Sequence, residues 1–324
     1  MRQAGGTATI MALLATAFAA LAPSGAARAD DLVKVAIGQR DNWDTAIPHL
    51  GEKAGIFKKH GLALELLYTS GGGETQQAVI SGSVDIGTAA GIYGVLGAFS
   101  KGAPVRIIGA QATGAADYWY AAGASAIKEL KDTDGKTIAY STNGSSTHSI
   151  VLAFIKEFGL KAKPVATGNP SATLTQVMTG QVDVGWASPP FGLKEIDENK
   201  IRIVARANDA PIVRGQTIRL VITSTDVLAK RKDVLARFMD AYRETIDYMY
   251  ASPQALKDYA EFAAVPEPVA QRVRDEFFPK SLLDPDEIKG LDAIIPDAVS
   301  LKYTAAPLSK EQLGELIQIP ARKK

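Results

Sequence analysis

The chain has 324 residues, 46% of them hydrophobic and 22% charged, with a formal net charge of +1. A chain of this length buries a substantial core and is expected to divide into two domains, and a balanced charge without basic runs argues against nucleic acid as a partner. Cysteine is absent, which excludes disulfides, thiolate metal sites and a lipidated N-terminal Cys.

Residues 1–29 read as a secretory leader. Arg2 opens a short basic segment, Ile10 to Leu21 is apolar but too short to span a bilayer comfortably, and Ala27-Arg28-Ala29 offers a small-residue cleavage site. Cleavage after Ala29 would remove Arg2 and Arg28 and shift the net charge from +1 to −1. The expected product is an exported, periplasmic protein.

From Leu32 the chain alternates strands and helices. Strands are expected at 33–37, 62–68, 84–87 and 105–111, with helices from about 44 to 55, 74 to 82 and 92 to 101 between them. Such spacing implies parallel βαβ units, whose ligands sit beyond the carboxyl ends of the strands. Further strands are expected at 137–140, 164–166, 182–186 and 201–205, with helices from Ser145 and from about 171 to 179. Asp117–Ala122 and Thr217–Thr223 are extended segments that fit two crossings between lobes. After Thr225 the chain reads as helical, with apolar stripes over 232–251, 253–263 and 266–277, and packs back on the first lobe. Ala321 to Lys324 make a solvated basic end.

Val79-Ile80-Ser81-Gly82-Ser83-Val84-Asp85-Ile86-Gly87 echoes Val177-Met178-Thr179-Gly180-Gln181-Val182-Asp183-Val184-Gly185. Each copy reads as a helix end, a glycine C-cap and a buried strand. Asp85 and Asp183 are expected to bond backbone rather than ligand.

The stretch Lys136 to Phe154 combines a short strand, a break at Asn143-Gly144 and a helix start at Ser145-Ser146-Thr147-His148. Unpaired N–H groups and hydroxyls there favour an anion, but taken alone this helix start is better accounted for by simple capping.

Together with the leader and the two VD-x-G units, this turn resembles the periplasmic binding proteins of nitrate, sulfonate and taurine ABC importers, relatives of which bind bicarbonate or a thiamine-precursor pyrimidine. The resemblance covers essentially all of the chain beyond residue 29. It implies an α/β, two-lobe periplasmic binding protein fold (type II) with two crossing strands and a helical C-terminal segment. The implied lobes are 30–117 with 218–324, and 118–217. It also implies no catalysis and no cofactor, an ABC permease with its ATPase as partner, and a monomer. Where sulfonate and taurine binders commonly carry an acidic residue and prolines, Thr88-Ala89-Ala90-Gly91 stands instead, which disfavours a taurine-like ammonium contact at that place.

The candidate ligand contacts follow from these placements. Gln39, Arg40 and Trp43 follow the first strand, Gly72 lies in the Gly-rich loop, and Thr88 and Ala89 follow the third strand. Trp119 lies in the first crossing, Asn143 to His148 form the helix-start turn, Trp186 and Ser188 end the repeat strand, and Arg219 lies in the second crossing. Arg40 and Arg219 could neutralise a small organic anion of the sulfonate or carboxylate class from opposite lobes, and three tryptophans could line its apolar body. The rival roles are salt bridges for the arginines and core packing for the tryptophans. Three isolated histidines offer no metal site. Ser145 or Ser146 beside His148 lacks the geometry of a nucleophile and base, yet an enzyme on the same scaffold, either a hydrolase or a pyrimidine-forming relative, is the second function considered. A ligand-presenting sensor subunit is the third.

Overall fold

A computed structural model describes residues 30–322, so the expected leader and the final two lysines lie outside the described residues. The first strand is β1 (Asp31–Ile37). Two short helices, α1 (Ile47–Lys53) and α2 (Ile56–Lys59), lead to β2 (Leu62–Tyr68), α3 (Gly72–Ile80), β3 (Ile86–Gly91), α4 (Ile92–Ser100) and β4 (Val105–Thr113). Far along the chain comes β10 (Thr217–Ser224), and the sheet order is β2-β1-β3-β10-β4. The expected parallel run holds for β2, β1 and β3, while β10 inserts antiparallel between β3 and β4.

The sheet is buried on both faces, and the strand pattern explains how. Val33, Val35 and Ile37 face one cluster with Phe57, Phe238 and Tyr242, whereas Ala36 faces another with Val79, Leu96 and Ile294. Period-two alternation thus splits one strand between two layers. The first layer is closed by α9 (Lys232–Ala251), α10 (Pro253–Phe262) and α11 (Glu267–Arg272), so the helical C-terminal region does pack on the first sheet. The second layer holds α3 and α4, with α12 (Leu291–Ser300) and α13 (Lys310–Leu316) beyond them. A short helix, α8 (Thr225–Lys230), joins β10 to α9.

A second body is built from β5 (Tyr118–Ala122), β6 (Thr137–Tyr140), α5 (Ser146–Glu157), β7 (Lys163–Ala166), α6 (Pro170–Met178), β8 (Gly185–Ala187), α7 (Leu193–Asp197) and β9 (Ile201–Arg206). Its strands form the sets β8-β5-β9 and β6-β7, joined through a bridge between Ile138 and Val184. Its core gathers Trp119, Phe154, Ile150, Val184 and Trp186. The two passages between bodies lie side by side: the Gly114 N–H donates to Gln216 O at 2.8 Å, and the Ala207 N–H to Asp117 O at 2.9 Å.

The internal echo is a structural repeat. Gly82 and Gly180 end their helices at φ +75° and +73°, the left-handed region that glycine tolerates best. The carboxylate of Asp85 accepts the Lys34 N–H of β1 at 2.8 Å, and that of Asp183 accepts the Thr137 N–H of β6 at 2.9 Å. Each aspartate ties its strand to another strand of its own body, β1 in the first and β6 in the second.

Candidate functional site

The C-terminal half of β3 and the segments after β1 and β8 approach one another, and Arg219 of β10 is the hub. Its Nη1 donates to Asp44 Oδ2 at 2.8 Å, and its Nη2 to both oxygens of Asp117 at 2.8 and 2.7 Å. Its Nε reaches Ser146 Oγ at 3.4 Å. Burial works against the guanidinium charge, but Asp117 and Asp44 outweigh it and raise its pKa. Burial likewise pushes the Asp117 carboxyl up, with Arg219 opposing. The anion-clamping role expected of Arg219 is therefore corrected: its donors are committed to two carboxylates. Arg40 lies at the rim, half-exposed, donating to Asp41 at 3.0 Å and resting over the Tyr68 and Phe262 rings.

Two tryptophan placements are also corrected. Trp43 is fully buried, edge-on to Tyr250 and Tyr259, and its Nε1 donates to Tyr250 Oη at 3.0 Å. Trp119 is fully buried against Phe154, its Nε1 donating to Ala139 O at 2.8 Å. Both side chains are spent on the core, because an indole with its one donor satisfied is an ideal buried filler. Trp186 differs: it is buried, opposite Trp119 in register, but its Nε1 has no partner.

That orphan is one of a group. Gln39 Nε2, Asp44 Oδ1, Thr88 Oγ1, Trp186 Nε1 and Ser188 Oγ are buried and lack a hydrogen-bond partner. The register brings them to the same region. Thr88 pairs with Ile37 at the end of β1, and Gly38 N donates to Thr88 O at 3.1 Å, which sets Gln39 beside β3. Ala187 pairs with Tyr118, so Ser188 falls beside Asp117, which holds Arg219. Each unsatisfied buried group costs about 1–3 kcal/mol, so five together rival the stability of a whole domain.

Ala89 adopts φ +60°, and its N–H donates to Gln111 Oε1, whose amide nitrogen reaches Asp44 Oδ2 at 3.3 Å. This strained backbone position within β3 is fixed by Gln111 beside Thr88.

The bodies touch along glycines. A Cβ on Gly94 would lie 2.1 Å from Gly144 O, one on Gly73 2.0 Å from Asn143 O, and one on Gly91 2.6 Å from Ser146 N. Gly72 presses on Ala89 O within its own body. The helix-start turn is thus against the first body, but most of its side chains are engaged locally. Ser145 Oγ accepts the His148 N–H at 3.2 Å, Thr147 Oγ1 accepts the Ser141 N–H at 2.9 Å, and Asn143 Oδ1 accepts from Tyr140 Oη at 2.6 Å. His148 stacks on Tyr140, and its Nδ1 accepts from Gly144 N at 3.2 Å and faces Tyr303 Oη at 2.9 Å. Accepting at Nδ1 leaves the proton on Nε2. Burial lowers its pKa to about 4. His148 lines a cavity of about 780 Å³ with Gln76, Gly94, Lys101, Lys302 and Tyr303. Only Ser146 of this turn reaches the Arg219 hub.

Asp44, Asp117 and Gln111 were not singled out as site residues in the sequence. A signal existed: Asp44 follows Trp43 directly, and Asp117 precedes Tyr118-Trp119-Tyr120, so each acid abuts aromatic residues that must be buried.

Two α/β bodies joined by paired passages, with strand ends meeting at a polar cluster, define the periplasmic binding protein fold. A family model described as NMT1/THI5-like matches residues 43–256, and the chain belongs to that family. It is similar to a Saccharomyces cerevisiae protein named 4-amino-5-hydroxymethyl-2-methylpyrimidine phosphate synthase, 24% identical over 68% of this chain and 69% of the relative. It is also similar to a Brucella abortus protein provisionally named a binding protein, 24% identical over 70% of each chain. Among solved structures, the alkanesulfonate-binding protein of Xanthomonas axonopodis aligns at TM-score 0.73 and 17% identity over 89% of this chain and 98% of that one. The periplasmic nitrate-binding protein of Synechocystis aligns at TM-score 0.68 and 12% identity over 89% and 86%. At these identities the structures speak for the fold alone. Among the described residues no helix is long and apolar enough to cross a membrane.

Proposed function

We propose that this chain is the solute-binding component of an ABC-type importer. In this reading it is exported after loss of residues 1–29 and works in the periplasm as a monomer that delivers a small organic solute to a membrane permease and its ATPase. The lobes would be residues 30–117 with 218–324, and residues 118–217, hinged at the paired passages beside Gly114 and Gln216. The single observation that carries the reading is the group of five buried, unpartnered polar atoms contributed by both bodies. A solute held between them satisfies groups that neither body satisfies alone, and so couples binding to closure. The relatives of known fold that bind sulfonate or nitrate support the same role. The anionic solute expected from the sequence is supported by Arg40 at the rim and opposed by the commitment of Arg219. The test is a thermal-shift screen of the chain from residue 30 against sulfonates, carboxylates, nitrate and nitrogen heterocycles. A binder raises the melting temperature by mass action, and a ligand at a hundred times its Kd adds about 2.7 kcal/mol. A screen without any stabiliser would sink the reading.

A second reading, an enzyme forming a pyrimidine phosphate, is favoured by the names of the sequence relatives. Incubation with a stabilising compound, followed by mass spectrometry, separates the two: a binding protein returns the compound unchanged.

A further inference from the structure

We infer that the solute is a nitrogen-bearing organic molecule whose N–H or ammonium group donates to Asp44 Oδ1, while acceptors on the same molecule take the Gln39 Nε2 and Trp186 Nε1 donors. The inference deepens the solute-binding reading and rests on it.

The argument is an inventory of what the unpartnered atoms can do. Gln39 Nε2 and Trp186 Nε1 are donors only, the Thr88 and Ser188 hydroxyls serve either way, and Asp44 Oδ1 is an acceptor. A bare oxyanion answers the donors and leaves the carboxylate oxygen facing like charge. The charges of the hub point the same way. One guanidinium stands against two carboxylates, and its donors go to Asp44, Asp117 and Ser146. With both acids ionised, the buried hub carries one negative charge more than its guanidinium balances. A second buried anion beside it would be uncompensated, whereas a donor or cation complements it.

One rival occupant of Asp44 Oδ1 exists inside the fold. Tyr242 on α9 is buried, its hydroxyl also lacks a partner, and burial followed by the Asp44 charge raises its pKa. A water bridging Tyr242 to Asp44 would satisfy both and leave the solute nothing to donate to.

The hydrogen bonds of Asp44 make one substitution unusually informative. Arg219 Nη1 and Gln111 Nε2 both donate to Oδ2, so in Asp44→Asn the amide oxygen must take that position. The NH2 group then replaces Oδ1, turning an acceptor into a donor without changing shape and neutralising the excess charge.

The experiment is a broad solute screen on the wild-type chain by thermal shift, with calorimetry of the hits. It includes three matched pairs: 2-aminoethanesulfonate and ethanesulfonate, 4-aminobutanoate and butanoate, 4-aminopyrimidine and pyrimidine. The expected result is that every stabiliser carries an N–H or ammonium group and that its nitrogen-free or des-amino partner binds at least tenfold more weakly. Asp44→Asn is expected to lower affinity for the stabiliser at least tenfold and to erase or invert the preference within its pair, with Tyr242→Phe leaving both unchanged. Stabilisers lacking such a group, or equal binding within pairs, overturn the donor assignment and leave solute binding standing. The absence of any stabiliser overturns both. The wild-type screen decides these outcomes even if Asp44→Asn fails to fold.

Discussion

Arg219 and Asp117 form a buried ion pair beside the passages between the two bodies. The arginine projects from β10 of the five-stranded sheet, and both oxygens of the aspartate, one residue ahead of β5, accept from its Nη2 at 2.8 and 2.7 Å. Both side chains are almost completely buried. Breaking a buried pair by removing one partner typically destabilises by 3–5 kcal/mol, because the other charge is left uncompensated. Arg219→Met leaves two such carboxylates, so a loss of about 3–5 kcal/mol is expected in urea unfolding. Adding Asp44→Asn and Asp117→Asn should recover a large part of it, and a triple variant no more stable than Arg219→Met would refute the charge explanation.

The glycine seam makes a separate prediction. Gly94 lies within α4, where alanine is the better helix former by about 1 kcal/mol, so Gly94→Ala should fold at least as stably as the wild type when the bodies are apart. Its Cβ would nevertheless lie 2.1 Å from Gly144 O, a backbone atom that cannot step aside cheaply. The expected phenotype is a folded protein with a larger radius of gyration in X-ray scattering and a strongly weakened response to any ligand that stabilises the wild type. A variant as compact and as responsive as the wild type would show that the seam is not where the bodies close.

The secondary structure was largely legible because its signals are local. β2, α9 and the Ser145 cap came directly from apolar spacing and side-chain chemistry. The aspartates of the repeat bond backbone as their position suggested. What stayed hidden was which polar residue meets which. Arg219 and Asp44 are 175 positions apart, and nothing along the chain says that the guanidinium finds two acids rather than a solute. Trp43 and Trp119 sit in loops and strands that approach the site, yet their rings turn into the core, a choice made by Tyr250, Tyr259 and Phe154 from distant elements. Orphaned atoms such as Thr88 Oγ1 become visible only once every neighbour is in place.

His148 supplies a pH signature. Its folded pKa of about 4 lies below the ordinary value of 6.5, because burial disfavours the charged ring. The native state therefore holds the neutral imidazole, and its contribution is fully present above pH 6.5. It drains away as pH falls from about 6.5 toward 4 and is level below that. Partial exposure of the ring reduces the size of the effect to roughly 1–2 kcal/mol. The measurement is the difference in urea midpoint between pH 7.5 and 4.5 for wild type against His148→Gln, which cancels the titration of other groups. The wild type should lose more, and an equal loss in both proteins would mean that His148 titrates normally.

The two tryptophans of adjacent strands separate packing from recognition. Trp119 donates to Ala139 O and packs edge-on against Phe154, so Trp119→Phe leaves a buried carbonyl short of its partner and a gap beside the ring. An expected loss of about 2–3 kcal/mol follows from the missing hydrogen bond and the cavity together. Trp186 lies opposite it, equally buried, but its N–H has no hydrogen-bond partner. Trp186→Phe removes a polar group that the unliganded protein does not satisfy, which offsets the lost ring volume. Its stability is expected to stay within about 1 kcal/mol of wild type. If a solute accepts from that N–H, the same variant should bind it several-fold more weakly while Trp119→Phe, corrected for its lower stability, binds normally. Calorimetric titration of both variants with one wild-type stabiliser reads the contrast directly. The opposite pattern would assign recognition to Trp119 and return Trp186 to the core.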